Sequence, residues 1–190
     1  LWPVAGQVGA YLDAETGATP LSVMKWAIKS GNPDVLNELP SAWNLFLGNT
    51  TAGAGTIGEV CALALLIGLA YMLWKKIITW HIPVGILATV FILSGVMHLA
   101  NPAYADPFTV LFSGGLMLGA IFMATDYVTS PMCGKGQLIY GVAIGVLTVV
   151  IRNWGAYPEG MSFAILIMNA FTPLINSYVK PKRFGEVVKK

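Results

Sequence analysis

Ile77-Ile78-Thr79-Trp80-His81-Ile82-Pro83-Val84-Gly85-Ile86-Leu87-Ala88-Thr89-Val90-Phe91-Ile92-Leu93-Ser94-Gly95-Val96-Met97 contains no Asp, Glu, Lys or Arg. A hydrocarbon core about 30 Å thick is crossed by roughly 17–25 helical residues, so this stretch predicts a transmembrane helix. It lacks the strong alternation of a barrel strand. With no water in the hydrocarbon, its backbone groups must pair within the segment, as a helix does. Composition agrees: of 190 residues 56% are hydrophobic and 11% charged, against about 25% charged in soluble domains. Mean hydropathy is +0.69. The expected fold is an all-α membrane protein.

Working outward, four more apolar segments are expected as spans, at residues 56–74, 108–125, 137–151 and 161–179, making about five transmembrane helices. The span at 137–151 is short, which predicts tilt or extension at its ends. Residues 1–55 are mixed and too polar to cross a bilayer, and residues 180–190 form a basic tail. The domain reading is therefore a leader (1–55), a membrane domain (56–179) and a tail (180–190). Lys75 and Lys76, Lys135, and the tail cations Lys180, Lys182, Arg183, Lys189 and Lys190 all fall on one side of such a bundle. Only Lys25, Lys29 and Arg152 fall on the other. The positive-inside rule then predicts a cytoplasmic tail and an external leader. An external leader without a signal of its own needs an earlier span, so an upstream membrane half is expected.

Other classes are disfavoured by what is missing. The formal net charge of +2 is small and the cations form no aromatic-interleaved basic face, so nucleic acid is not an expected partner. Cys61 and Cys133 have neither metal-ligand spacing nor a disulfide framework. His81 and His98 make no metal motif and are expected to be interfacial or structural. Trp74, Trp80 and Trp154 lie mostly at span ends, where tryptophan anchors the membrane interface.

The leader contains Asp13-Ala14-Glu15-Thr16-Gly17-Ala18-Thr19-Pro20, followed by a short helical pattern with Pro20 in its first turn and Gly31 beyond its end. Thr19 thus sits at a helix N-cap. Its hydroxyl either caps that helix and nothing more, or carries a group whose phosphate the free N–H groups and positive helix end would favour. Small Gly17 and Ala18 leave room around the hydroxyl. The octapeptide resembles the acceptor sequence on which flavin transferases attach FMN through a phosphoester to threonine.

Downstream segments carry the wider resemblance: Gly55-Thr56-Ile57-Gly58-Glu59, Phe122-Met123-Ala124-Thr125-Asp126-Tyr127-Val128-Thr129-Ser130-Pro131, Ile151-Arg152-Asn153-Trp154-Gly155-Ala156-Tyr157-Pro158-Glu159-Gly160, and the run Met168 to Ile175. With the leader motif, they resemble the carboxy-terminal half of the family that contains the D subunit of the Rnf complex and the B subunit of the sodium-pumping NADH:quinone oxidoreductase. Tyr127 stands where many members have proline, and Cys133 where they have threonine. The Thr-Ser-Pro ending and the 152–160 loop look more like the Rnf branch. The resemblance implies one half of a two-repeat, ten-helix bundle, with FMN linked covalently to Thr19 and Asp13, Thr16, Gly17 and Ala18 completing the attachment motif. A further non-covalent flavin, riboflavin in the relatives, is implied near the cytoplasmic side.

The implied role is an electron carrier in an ion-translocating ferredoxin:NAD oxidoreductase of a bacterial cytoplasmic membrane, coupled to Na+ or H+ export. Its implied partners are the second covalent-FMN subunit, the membrane iron–sulfur subunits and a flavin transferase. Gly53-Ala54-Gly55-Thr56-Ile57-Gly58 spells Gly-x-Gly-x-x-Gly, but it leads into an apolar span with no strand–turn–helix pattern around it. It is therefore not a dinucleotide fingerprint, consistent with NAD chemistry residing in another subunit. The alternatives are a component like the B subunit of the quinone-reducing relative and a non-redox solute channel or transporter of similar repeat architecture.

Remaining polar residues leave alternatives open. Residues 48–59 are either the break between a half-helix and a full helix or a surface loop with packing glycines. Glu59 is either part of an ion pathway or an interfacial carboxylate. Asp126, Thr129 and Ser130 either hold flavin or a partner, or end a helix. Arg152 and Glu159 bracket an external loop, as a structural ion pair or as a contact to a neighbouring subunit.

Overall fold

The computed structural model describes residues 19–48 and 61–180, and every regular element among them is helical. In chain order these are α1 (Pro20–Ser30), a 3-10 turn (Pro33–Glu38), α2 (Ala42–Leu47), α3 (Ala62–Trp74), α4 (His81–Ala100), α5 (Pro107–Phe112), α6 (Leu116–Leu118) running into a π-helical stretch (Gly119–Met123), α7 (Gly134–Trp154) and α8 (Met161–Tyr178). Three of them, α4, α7 and α8, are long and apolar enough to cross a membrane. α3 is equally apolar but has 13 described residues, and the beginning of the span expected at 56–74 lies outside the described residues.

The expected spans and the observed helices differ in instructive ways. The short span at 137–151 is extended at both ends to the full α7, because Gly134–Gly136 and Arg152–Trp154 are helical although less apolar. The span expected at 108–125 is not one helix. It breaks at Ser113-Gly114-Gly115, where Gly114 adopts φ +68° and a helical ladder cannot continue. Apolar length alone does not reveal such a break.

α4 packs parallel to α7 over the largest interface of the bundle, with contacts running from His81–Gly134 at one end to Met97–Asn153 at the other. Gly141 makes this approach close: a Cβ there would lie 2.9 Å from the Ile82 carbonyl oxygen and 3.4 Å from Gly85 Cα. One turn on, a Cβ at Gly145 would meet Thr89 Cβ at 2.8 Å. Small residues four apart are how membrane helices gain dispersion contact when lipid supplies no hydrophobic drive. Around this seam Ile82, Ile86, Val90, Tyr140 and Ile144 join Leu116, Ala120, Met161 and Ala164 in one buried cluster. A second cluster, Met117 and Ile121 with Ala62, ties α3 to the broken segment.

Several hydroxyls inside the bundle satisfy themselves locally, whereas Ser113 Oγ and His81 Nδ1 find no partner among the described residues. The hydroxyls of Thr89, Ser94, Thr148 and Thr172 each donate to the carbonyl four residues earlier. Tyr140 Oη donates to Asn169 Oδ1 between α7 and α8. The outward faces are apolar, with Ile92, Val96, Leu99 and Leu166 exposed, the inverse of a water-soluble surface and suited to lipid. Exposed Trp74, Trp80 and Trp154 mark helix ends. Lys75, Lys76, Lys135 and Lys180 gather at the end where Thr79 Oγ1 donates to Gln137 Oε1 at 2.6 Å. Arg152 and Lys25 lie at the opposite end, beside Met97.

Candidate functional site

At the end of the bundle that carries Ala100 and Trp154, α1 lies against the broken segment. Thr19 is extended at φ −67°, ψ 149°, and caps α1. Its Oγ1 accepts from Ser22 N–H at 3.4 Å, and its carbonyl accepts from Ser22 Oγ at 2.7 Å. The expected cap is therefore present, and Pro20 occupies the first turn. Thr19 itself is exposed, so its hydroxyl is reachable by another molecule. Asp13, Thr16, Gly17, Ala18 and Glu59 lie outside the described residues.

α1 is held by its next residue but one. Leu21 Cδ1 sits so close to Gly114 that a Cβ there would lie 2.3 Å from it. Helix start and helix break are thus one packed unit.

Breaking a helix inside an apolar bundle leaves carbonyls and N–H groups that cost several kcal/mol each in order of magnitude if unmatched. Arg152 and Glu159 match them. Arg152, reaching back from the last turn of α7, donates from Nη1 to the Val110 carbonyl at 3.0 Å and from Nη2 to the Ser113 carbonyl at 3.2 Å. Its Nη2 also meets Glu159 Oε1 at 3.1 Å. Glu159 Oε2 accepts from Gly115 N–H at 3.1 Å, and Oε1 accepts from Gly160 and Met161 N–H at 3.2 Å, at the start of α8. Burial alone would raise the Glu159 carboxyl, but the Arg152 charge and these hydrogen bonds hold it below its ordinary value. The pair is a structural ion pair, one of the two alternatives open in the sequence, and its targets across the bundle are what the linear sequence does not show.

A small cavity of about 40 Å³ lies behind this clamp, lined by Lys25 of α1, Ser94 and Met97 of α4, Tyr104, Val110 of α5 and Arg152. Lys25 is only 8% exposed and its Nζ has no hydrogen-bond partner among the described residues. In the linear sequence Lys25 reads merely as a topology charge. Its place in the series Leu21, Met24, Lys25, Ile28 is the available signal, since that spacing lies along one helix face.

The other polar candidates are local. Asp126 Oδ2 accepts from Thr129 N–H at 3.3 Å and Thr129 Oγ1 at 3.1 Å, a self-contained turn. His98 Nδ1 pairs with the Tyr104 carbonyl at 2.7 Å. Cys61 and Cys133 are both free thiols.

Residues 1–185 match the model of the NQR2, RnfD, RnfE family. The chain is 43% identical over 187 residues to the D subunit of the Na+-translocating ferredoxin:NAD+ oxidoreductase complex of Acetobacterium woodii, covering 97% of this chain and 54% of that protein. It is 40% identical over 191 residues to the D subunit of the proton-translocating ferredoxin:NAD+ oxidoreductase complex of Clostridium ljungdahlii, covering 97% and 57% respectively. Against the D subunit of the ion-translocating oxidoreductase complex of Halorhodospira halophila it is 37% identical over 174 residues, covering 91% and 48%. The chain spans about half the length of these curated relatives.

Proposed function

The chain belongs to the NQR2, RnfD, RnfE family, and from that premise we propose that it is the membrane electron-carrier part of an Rnf-type D subunit, with FMN held covalently through a phosphoester at Thr19. The observation that carries this is Thr19 itself: an exposed threonine hydroxyl at the N-cap of an 11-residue helix, directly after Gly17-Ala18. The chemistry of that position fits a phosphoester. The hydroxyl supplies the ester oxygen, and the N-terminal N–H groups of α1 with its positive helix end favour the remaining phosphate charge. Asp13, Thr16, Gly17 and Ala18 complete the motif that a flavin transferase recognises.

FMN, when attached, supplies the one- and two-electron redox chemistry, and the chain supplies position and electrostatics. Leu21 on Gly114 seats α1 against the broken segment, and the Arg152–Glu159 clamp keeps that seat rigid. In this proposal the chain contributes five spans to a ten-helix bundle completed by an upstream half, with the leader external and the carboxy terminus cytoplasmic. The separation of Lys75, Lys76, Lys135 and Lys180 from Lys25 and Arg152 supports that orientation. Its partners would be the other subunits of the complex, the second covalent-FMN subunit and the membrane iron–sulfur subunits among them, and the output Na+ or H+ export. Riboflavin is a further cofactor of the proposal, without assigned ligands, and Glu59 its ion-pathway carboxylate. A solute channel is the competing reading, and the broken helix at Ser113–Gly115 is the one observation on its side. Arg152 and Glu159 occupy that break's polar groups, which favours a structural role for it.

Co-production of the full-length protein with a flavin transferase tests the proposal. The denatured chain should stay fluorescent and gain the mass of one FMN residue. Thr19→Asn should lose both while keeping a competent helix cap. A Thr19→Asn protein that kept the full covalent flavin would overturn the assignment, and a flavin-free wild type that conducts solute would favour the channel.

A further inference from the structure

We propose that the cavity between α1, α4 and α7 binds one small monovalent inorganic anion of halide size, held by Lys25 and Arg152. The proposal stands on the cavity and its charges, whether or not Thr19 carries a flavin.

Lys25 reaches the cavity from the same face of α1 as Leu21, Met24 and Ile28, so folding α1 onto the bundle buries its ammonium together with its apolar neighbours. The charges there do not cancel. Arg152 and Lys25 bring two cations into the lining, and the carboxylate nearby among the described residues, Glu159, is already engaged by Arg152 and three backbone N–H groups. Asp106 is used in capping Phe108 N–H at 3.1 Å and does not line the cavity. Burial disfavours the Lys25 ammonium, and Lys29, one turn further along α1, adds positive charge that disfavours it further.

Of the buried side-chain atoms without a partner among the described residues, Lys25 Nζ and Arg152 Nε belong to residues that line the cavity, whereas Ser113 Oγ and His81 Nδ1 do not. A buried ammonium is costly unless paired and hydrogen-bonded. An anion meets both needs at once.

Size and lining select the class. A cavity needs on the order of 10–15 Å³ to admit a water, so about 40 Å³ accepts a halide or a few waters and excludes a flavin ring or a lipid headgroup. Waters could bond Lys25 Nζ, Arg152 Nε, Asn153 and Tyr104, but Met24, Ile28, Val110 and Val149 are apolar and Ser94 Oγ already donates to the Val90 carbonyl at 2.7 Å. Water also leaves the surplus charge in place. A halide tolerates apolar walls and removes it.

The experiment uses the full-length protein in its complex, purified in sodium gluconate and then equilibrated with sodium bromide at constant ionic strength. Bromide should raise the melting midpoint saturably by a few degrees, and anomalous diffraction at the bromine edge should show one peak within hydrogen-bond distance of Lys25 Nζ. Lys25→Met and Lys25→Gln should abolish both signals. The wild-type anomalous map decides the matter even if neither variant folds. Bromide-independent melting with no peak, ordered water alone in the cavity, or a carboxylate from elsewhere in the complex seated on Nζ would each overturn the proposal.

Discussion

Glycine does opposite work in two regions of this bundle. At the α4–α7 seam, Gly141 and Gly145 lie within a regular helix and their value is absence of bulk: two backbones approach because no Cβ intervenes. At Ser113-Gly114-Gly115 the value is conformational, a positive φ that ends one helix and lets another start. The seam satisfies its own hydrogen bonds and needs only apolar neighbours. The break cannot, and it draws in the Arg152–Glu159 pair from the far end of α7 and the loop after it. A close approach is therefore inexpensive in membrane proteins, whereas an interruption requires charged side chains brought from elsewhere in the fold.

The strongest way to break this contrast is Arg152→Met. It strips partners from the Val110 and Ser113 carbonyls and leaves Glu159 half-buried without its cation. Loss of about 3–5 kcal/mol is expected, as for other broken buried pairs, measured by reversible unfolding in mixed micelles. An equal loss from Lys135→Met, at the other end of the bundle, would show that Arg152 has no special place.

Gly141→Ala probes the seam. Its new methyl would sit 2.9 Å from the Ile82 carbonyl oxygen, and overpacking of this kind costs about 1–3 kcal/mol. The same unfolding assay should show a shifted midpoint with the Arg152–Glu159 pair intact, visible as an unchanged acid limb of the stability profile.

That acid limb is the smallest and most specific effect. The folded Glu159 carboxyl lies below its ordinary value of 4.5, so its contribution is fully present above that pH and is lost as pH falls through the folded value. Glu159→Gln should lower stability at neutral pH, where the ionised carboxylate contributes, and flatten this part of the stability–pH curve, since there is then no such contribution left to lose on acidification. An unchanged acid limb in Glu159→Gln would assign it to other carboxylates.

Legibility in the sequence followed the range of the interactions. Helix positions and type were readable from apolar length, and the Thr19 cap from Thr-Pro followed by a helical pattern, because both are local. The break within 108–125 was not: Gly114-Gly115 reads equally as packing glycines, and only the arrival of Arg152 from 39 residues away makes an interrupted helix tolerable. Arg152 and Glu159 were legible as a pair bracketing a loop, since seven residues separate them. Their targets were not. Lys25 was legible only as a topology charge, because its burial depends on α1 folding down onto α4 and α7.

What the sequence determined by itself is thus the class of protein, the approximate positions of its long apolar helices, the cap at Thr19 and the family to which its motifs belong. These rest on transfer free energy and backbone geometry, which act over a few residues. Tertiary structure alone decided which glycines touch and which bend, where Arg152 spends its hydrogen bonds, and that Lys25 ends in a small cavity beside it. Burial and charge pairing are properties of neighbours in space, and here those neighbours are brought together from opposite ends of the chain.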